Sequence, residues 1–385
     1  MDMDQRTGKY VTKKIPGESF QAYIPSQLPP KPALNLDGLY PLMERATLAL
    51  AELNNAANTI PNISLFIYMY VRKEALLSSQ IEGTQSSFSD LMLFEHHQKP
   101  EVSIEDVEEV SNYVKAIYHG LKRIRNGFPI SLRLIKEIHE ILLSGGRGSF
   151  QSPGEFRRSQ NWIGGTRPGN ARFVPPPVEH LLDCLSNLEK FLHNKQMPVL
   201  LKAGIAHLQF ETIHPFLDGN GRLGRLLVIL LLCDSGMLSE PILYFSLYLK
   251  QNRSVYYNLL QEVRERGNWE TWLEFFLNGI YTSSKQGTET ITKINDLFTK
   301  DLAKIATLGR AKKSAEQTLD YLKMLPQVSV VFLAKELDIS KPTARTALNN
   351  LVKLNIIEEV SGQQRNKVYI YKTYLNLLEE GALPF

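Results

Sequence analysis

An uninterrupted apolar run, LLVILLLC at residues 226–233, constrains the fold more than any other feature of the sequence. It is far shorter than the roughly 20 residues that a membrane-spanning helix needs. A helix on the surface of a domain would carry polar residues along one face, and this run has none. It therefore predicts a helix that is buried on all sides at the centre of a globular domain.

The composition is that of a soluble protein with more than one domain. The chain has 385 residues, of which 43% are hydrophobic and 22% charged, and this length suggests two or three domains. A net charge of +4 is too small to indicate a nucleic-acid partner by itself. The N-terminus has no apolar stretch typical of a signal peptide, and Cys184 and Cys233 are expected to be free thiols. We expect a cytoplasmic protein without a membrane segment.

Apolar residues recur at steps of three and four along most of the chain from Leu39, which predicts a mainly α-helical fold. The proline-rich residues before Leu39 predict an extended arm. In NWIGGTRPGNARFVPPP at 161–177, two extended runs flank a Gly/Pro/Asn-rich turn and predict one small β-hairpin, which we call the flap. The helices are expected near residues 39–58, 62–80, 86–97, 104–125, 131–143, 178–194, 198–212, 221–236 and 254–280.

The C-terminal part has a different pattern. Residues 285–308 predict a long polar-faced helix, and from Ala315 three short helices precede the β-rich runs IIEEV and KVYIY. This combination is typical of a winged helix-turn-helix, with KPTARTALNNLVKL as recognition helix and Ser340 as its N-cap. The expected organisation is an N-terminal arm with helices at 1–110, a helical core at 111–282, a linker helix at 283–310 and the winged helix-turn-helix at 311–385.

The stretch HPFLDGNGRLGR at residues 214–225 combines groups that suit nucleotide phosphates. Gly219, Asn220 and Gly221 can adopt unusual dihedral angles, so that successive backbone N–H groups converge on one anion. The apolar helix begins just after them, and its N-terminus supplies further N–H donors. Arg222 and Arg225 are three residues apart on this helix, so both could clamp phosphate oxygens.

Two further residues of this stretch could carry out chemistry. Asp218 is placed to hold a divalent metal that bridges two phosphates. His214 is the only group of the stretch whose unperturbed pKa suits a general base near neutral pH. A Gly-Asn-Gly turn or a histidine before proline is, taken singly, more often structural. Their combination within one short stretch favours a functional site.

The same stretch resembles the signature of the Fic family, His-Pro-Phe-x-Asp/Glu-Gly-Asn-Gly-Arg-x-x-Arg, at every signature position. The resemblance extends from about Tyr23 to Phe276 and includes PGEFR at 153–157 and both arms of the flap. It implies a helical Fic core and a nucleotidyltransferase that moves AMP from ATP to a Tyr, Ser or Thr hydroxyl of a target protein or of itself. His214 would deprotonate that hydroxyl and Asp218 would hold Mg²⁺. The nucleotide-binding residues that it implies are Asp218, Gly219, Asn220, Gly221, Arg222, Leu223, Gly224 and Arg225.

The resemblance implies two further groups of site residues. Tyr256 and Tyr257 match an aromatic pair of the family, and one of them would line the adenine pocket unless both belong to the core. The flap would pair with an extended target segment by strand addition, unless it merely covers the core. The flap residues that would dock the target are Trp162, Ile163, Gly164, Arg172, Phe173 and Val174.

A second motif, SSQIEG at residues 78–83, resembles the inhibitory-helix pattern of the family, Ser/Thr-x-x-x-Glu-Gly/Asn, at Ser78, Glu82 and Gly83. A carboxylate beside Arg225 would form a bidentate pair with its guanidinium. Arg225 could then no longer hold the ATP γ-phosphate, and ATP would bind misaligned. The resemblance therefore predicts an autoinhibited enzyme; the alternative is that Glu82 is a solvated side chain at a helix end.

Other functions stay open at this point. A Fic enzyme could use another nucleotide or remove AMP, and a homodimer is conceivable. A nucleotide-sensing transcription regulator would instead bind DNA through the winged helix, although Glu358 and Glu359 weaken its basic face. The phosphate and base contacts would come from Lys341, Thr343, Arg345, Asn349, Asn350, Lys353, Arg365 and Lys367.

Overall fold

The computed structural model describes residues 6–58, 63–95, 103–145, 148–362 and 367–381, which are mainly helical, as predicted. Two small antiparallel sheets accompany the helices. In chain order the elements are β1 (Lys9–Ile15), β2 (Glu18–Ile24), α1 (Tyr40–Ala57), α2 (Ile63–Ile81), α3 (Phe88–Glu95), α4 (Ile104–Arg125), α5 (Leu132–Leu142), α6 (Val178–Leu192), α7 (Val199–Ile213), α8 (Asn220–Asp234), α9 (Phe245–Gln251), α10 (Arg253–Arg266), α11 (Trp269–Ile305), α12 (Lys312–Met324), β3 (Gln327–Ser329), α13 (Val330–Glu336), α14 (Lys341–Lys353), β4 (Glu358–Glu359), β5 (Val368–Ile370) and α15 (Lys372–Glu379).

Helix α8 carries the apolar run and is enclosed by its neighbours, as the sequence predicted. All of its residues from Arg222 to Leu232 are buried, and α2, α4, α5 and α7 pack around it. It starts directly after Gly219, whose φ of 76° is left-handed and open to glycine at little cost. The loop between α7 and α8 therefore rests on the centre of the core.

The N-terminal residues form a β-hairpin, whereas the sequence predicted only an extended arm. β1 and β2 pair antiparallel, from Lys9 opposite Ile24 to Ile15 opposite Glu18. Phe20 and Ala22 of β2 form a small hydrophobic cluster with Val174 of the flap. The hairpin is thus held in place by a contact that is remote in sequence.

The flap is looser than the predicted β-hairpin. One isolated bridge joins Ile163 and Phe173, and a single 3₁₀ turn follows at Pro168–Asn170. Gly164 and Gly165 have φ angles of 71° and 73°. Because this left-handed backbone does not continue a strand, pairing stops after one residue pair.

Helix α11 is longer than predicted. The expected helices at 254–280 and 285–308 are instead α10, which ends at left-handed Gly267, and the 37-residue α11, which continues into the predicted linker. α9 was not predicted. The domain boundaries themselves stay predictions.

The C-terminal unit contains α12 to α15 and a three-stranded sheet of order β3-β5-β4. The Ser340 side chain accepts a hydrogen bond from the Thr343 N–H at 3.2 Å, which confirms the predicted N-cap. β3 and α15 were not predicted. Among the described residues, no helix combines the length and the apolar character needed to cross a membrane.

Candidate active site

A cavity of about 980 Å³ lies where the α7–α8 loop, the end of α2, the flap and α10 meet. It brings together side chains from segments that are far apart in sequence. The predicted site residues that line it are Glu82, Trp162, Ile163, Gly164, Arg172, Phe173, His214, Gly221, Arg225, Tyr256 and Tyr257.

His214 ends α7 with a left-handed backbone, φ 48° and ψ 62°, which is uncommon for a residue other than glycine. Its carbonyl accepts hydrogen bonds from Arg157 Nε at 3.0 Å and from Asn161 Nδ2 at 3.2 Å. Burial, with a smaller contribution from Arg264, lowers the pKa of His214 to about 4. The imidazole is therefore neutral at pH 7 and able to accept a proton.

Asp218 lies on the loop outside the cavity lining, with its side chain 40% exposed. Its Oδ1 accepts a hydrogen bond from the Gly219 N–H at 2.6 Å. The Gly154 N–H donates to His139 Nδ1 at 2.9 Å, so the proton of the neutral ring is on Nε2. His139 Nε2 then donates to the Asp218 backbone carbonyl at 3.0 Å. Among the described residues no cluster of three or more metal-binding side chains occurs. One half-exposed carboxylate fits Mg²⁺, which proteins often bind through one or two carboxylates and the substrate phosphates.

Asn220 stabilises the loop with its side chain. Its Oδ1 accepts from the Phe216 N–H and its Nδ2 donates to the Phe216 carbonyl, both at 2.9 Å, and it is 2% exposed. Gly221 faces the cavity, and a Cβ on it would collide with Glu82 Oε1. Leu223 and Gly224 are buried in the core. Of the Gly-Asn-Gly residues, Gly221 alone lines the cavity.

Arg222 is engaged in ion pairs and does not line the cavity. Its Nη1 lies 3.1 Å from Glu109 Oε1, and its Nη2 lies 3.4 Å from Asp218 Oδ1. Glu109 also accepts a hydrogen bond from Thr84 Oγ1 at 3.0 Å. These contacts connect the residues after α2 with the loop, and phosphate binding by Arg222 stays a prediction.

Glu82 lies beside Arg225 at the N-terminus of α8. Arg225 Nη2 donates to Glu82 Oε1 at 2.7 Å. The prediction of a bidentate pair was wrong, because Arg225 also binds Ser78. Its Nε donates to the Ser78 hydroxyl and its Nη2 to the Ser78 carbonyl, each at 2.9 Å. Burial alone would raise the pKa of Glu82, but Arg225 outweighs it and the pKa is lowered. Glu82 is therefore a carboxylate at pH 7, and Gly83 follows it with a φ of 104°.

The two tyrosines differ in their surroundings. The Tyr256 hydroxyl lies 2.9 Å from His207 Nε2, and the residue is 1% exposed. Tyr257 is half-buried, and the Arg253 guanidinium lies 5.7 Å from the centre of its ring. Tyr257 therefore presents more of its ring to the cavity than Tyr256 does.

Five of the six predicted flap residues line the cavity, and Val174 does not. The Val174 carbonyl instead accepts a hydrogen bond from the Tyr23 N–H at 2.9 Å. Trp162 is 39% exposed, whereas Phe173 is 4% exposed beneath Arg264. The returning arm is thus covered by β2, and the arm with Trp162 is the more accessible one.

Sequence reasoning missed several lining residues, among them Glu211 and Arg264. Glu211 Oε2 lies 4.0 Å from His214 Nδ1, and burial raises the pKa of this carboxyl to about 7. Arg264 Nε donates to Thr212 Oγ1 at 3.1 Å. In the sequence, the one signal that could have identified Glu211 as a site residue is its position one helical turn before His214. No local sequence signal distinguishes Arg264. The other missed lining residues are Lys250, Gln251, Arg253, Ser254, Leu260 and Gln261.

Comparison with known families covers the segments that line this cavity, apart from its residues at 250–264. Residues 40–122 match the Fic/DOC family N-terminal domain, and residues 129–232 match the Fic/DOC family domain. These parts of the chain belong to the Fic/DOC family. Both proposed motifs, SSQIEG and HPFLDGNGRLGR, lie inside the Fic/DOC matches.

Curated relatives of the chain are named protein adenylyltransferases. A probable protein adenylyltransferase of Aquifex aeolicus is 29% identical over 206 residues, which are 52% of this chain and 57% of that protein. The protein adenylyltransferase Fic of Aedes aegypti is 39% identical over 145 residues, which are 37% of this chain and 26% of that protein. The chain thus spans little more than half of the first relative and about a quarter of the second.

Solved structures share the fold. A Fic family protein from Desulfovibrio desulfuricans has a TM-score of 0.55 and 20% identity, over 86% of this chain and 95% of that chain. A Fic domain containing signaling protein from Bacteroides thetaiotaomicron has a TM-score of 0.51 and 16% identity, over 66% of this chain and 96% of that chain. Identities this low establish the mainly helical Fic fold alone.

Proposed function

We propose that this Fic protein transfers AMP from ATP to a hydroxyl group of a target protein and that Glu82 holds it in an inhibited state. The observation that carries the proposal is the convergence of His214, Gly221, Arg225 and Glu82 on one cavity. Its volume of about 980 Å³ is in the range of small-molecule sites. The names of the curated relatives point to the same activity.

The reaction needs a base, a site for the phosphates and a place for the target. The target hydroxyl oxygen attacks the α-phosphorus, its proton moves to the neutral His214 imidazole, and the bond to pyrophosphate breaks. The N-terminus of α8 at Gly221 and the Arg225 guanidinium attract the phosphates. Asp218 would hold Mg²⁺, which when bound neutralises phosphate charge. The flap beside His214 would receive the target segment.

Inhibition would follow from the charge of Glu82. Its carboxylate lies against Gly221 and occupies one N–H group of Arg225. A terminal phosphate at this point would meet a like charge, and its arginine partner would already be neutralised. Removing the carboxylate leaves Ser78 holding the guanidinium in place and opens the phosphate site.

The experiment is a transfer assay with ATP labelled at either the α- or the γ-phosphate, with purified protein and a cell lysate. We expect Glu82→Gly protein to label proteins from α-labelled ATP and not from γ-labelled ATP, and wild type to label weakly. Glu82→Gln is the matched control, because it keeps the size of the side chain and removes its charge. Labelling from the γ-position would indicate a kinase, and no labelling by any variant would contradict AMP transfer. Competition by unlabelled nucleotides then identifies the preferred base.

DNA binding is a second candidate function, and the surface of α14 favours it. Lys341, Thr343, Arg345, Asn349 and Lys353 are exposed on α14, as a recognition helix requires. Against it, Glu359 pairs with Lys367 at 3.5 Å, and Glu358 pairs with Lys372 at 3.4 Å. Arg365 lies outside the described residues. A gel-shift titration across salt concentrations tests this candidate, because phosphate contacts give a steep salt dependence.

A further inference from the structure

Arg157, the last residue of PGEFR, is a buried arginine. It is 2% exposed, and within the described ranges no carboxylate forms an ion pair with it. Burial lowers its pKa to about 10, so it still carries its charge at pH 7. A buried charge is costly unless hydrogen bonds compensate it, and here backbone carbonyls do so.

The carbonyls that Arg157 binds connect the catalytic histidine with the flap. Its Nε donates to the His214 carbonyl at 3.0 Å, and its Nη2 donates to the Pro176 carbonyl at 2.5 Å, where the flap returns to the core. Its own N–H donates to the Pro215 carbonyl at 2.9 Å. From the other end of the flap, Asn161 Nδ2 donates to the same His214 carbonyl at 3.2 Å. Both ends of the flap are therefore tied to the backbone of His214.

We propose that Arg157 is a positioning residue for the transfer reaction, which fixes the target-docking flap relative to the His214 base. This inference rests on the proposed AMP transfer. A planar guanidinium can donate in several fixed directions at once, and a lysine ammonium cannot reproduce that geometry. A displacement of about 1 Å between a bound substrate and its catalytic group can lower the rate about 100-fold. Arg157 thus acts on the reaction through the flap and not through contact with ATP.

The test compares Arg157→Lys with Arg158→Lys, a matched control in the exposed neighbour. The first readout is flap order by tryptophan fluorescence. The chain has three tryptophans, and Trp162 of the flap is 39% exposed while Trp269 and Trp272 are 2% and 0% exposed. Acrylamide quenching therefore reports mainly on the flap. The second readout is kcat and KM for the target protein and for ATP, measured in the Glu82→Gly background.

We expect Arg157→Lys to increase quenching of Trp162 and to lower kcat/KM for the target about 10- to 100-fold, with the KM for ATP changed less than about twofold. Arg158→Lys should change neither readout. A folded Arg157→Lys protein with wild-type quenching and wild-type kcat/KM would overturn the proposal. Equal losses for ATP and target would also overturn it, because they indicate a general structural role.

Asn161→Ala decides the matter if Arg157→Lys does not fold. It removes the hydrogen bond from the Asn161 side chain to the His214 carbonyl without removing a buried charge. It should therefore raise the quenching of Trp162 and the KM for the target. Unchanged values in folded Asn161→Ala would overturn the proposal. Absence of transfer by both wild-type and Glu82→Gly protein would instead count against the proposed function, which separates the two failures.

Discussion

The α7–α8 loop and the flap both line one cavity, but they are held in place differently. The loop is held by hydrogen bonds from buried side chains. The Asn220 side chain accepts from the Phe216 N–H and donates to the Phe216 carbonyl, and His139 donates to the Asp218 carbonyl. The flap between its two ends has one backbone bridge, Ile163 to Phe173. Its outer support comes from the N-terminal hairpin.

This difference suggests a division of tasks. Groups that carry out chemistry need a fixed geometry, and a loop anchored in the core provides it. Between its two anchored ends, a surface that pairs with an extended protein segment needs fewer internal hydrogen bonds, because the partner supplies them. We therefore expect variants of the loop to change turnover and variants of the flap to change the KM for the target.

Replacing His214 with alanine tests the loop side most directly. We expect transfer to fall by about 10²–10⁴-fold, the usual effect of losing a general base, while ATP affinity and the fold are retained. Initial rates in the Glu82→Gly background measure the effect, and His193→Ala, an exposed histidine, is the control. Activity above about one hundredth of the parent would mean that another group takes the proton.

Asp218→Ala tests the proposed metal contact. We expect a loss of at least about 100-fold, because a metal on the phosphates contributes several kcal/mol to the transition state. Asp218→Asn should raise the Mg²⁺ concentration needed for half-maximal rate. Asp234→Asn, exposed at the far end of α8, should behave as wild type. Transfer that persists in excess chelator would exclude this role of Asp218.

A double-mutant cycle tests the contact between the loop and the end of α2. Glu82→Gly removes one charge-assisted hydrogen bond to Arg225, worth about 1.5–3 kcal/mol, so we expect the rate to rise at least about 10-fold. Arg225→Ala should cancel this gain, so that the two effects are strongly non-additive. ADP affinity should change little. Additive effects on initial rates, or no gain in Glu82→Gly, would place regulation elsewhere.

Phe20→Ala tests the support of the flap. Phe20 is 6% exposed in the cluster with Ala22 and Val174, and losing this contact should loosen the returning arm. We expect the KM for the target to rise about fivefold, corresponding to about 1 kcal/mol, with kcat and the KM for ATP unchanged. Lys14→Ala on exposed β1 is the control. A change in kcat instead of KM would remove the distinction between loop and flap.

The pH dependence should show the smallest effect. The pKa of His214 is about 4, so transfer should fall as the imidazole becomes protonated near pH 4. Arg264 and Arg157 lower this pKa, and Glu82 raises it. In Glu82→Gly the acid limb should therefore move to lower pH, by less than about one unit. A shift to higher pH would show that Glu82 does not act on His214.

The sequence by itself determined the buried helix at 226–233, the mainly helical class and the residues of HPFLDGNGRLGR and SSQIEG. Each of these is a local pattern in which residue type and spacing carry the information. Helix bounds were predicted well where apolar periodicity was strong, as in α4 and α13. The prediction failed at α10 and α11: it ran through Gly267, where α10 ends, and it divided α11, which continues past Gly279 and Gly287 without a break.

Only the tertiary structure decided which of these residues face the cavity. Asn220 and Arg222 belong to the HPFLDGNGRLGR motif, but neither lines the cavity. Asn220 binds the Phe216 backbone, and Arg222 forms an ion pair with Glu109. The sequence also did not predict that the N-terminal hairpin packs on Val174. Nor did it predict the hydrogen bonds of Arg157 to the His214 and Pro176 carbonyls. Their physical cause is burial among segments distant in sequence, where hydrogen-bond partners are set by the packed chain and not by neighbouring residues.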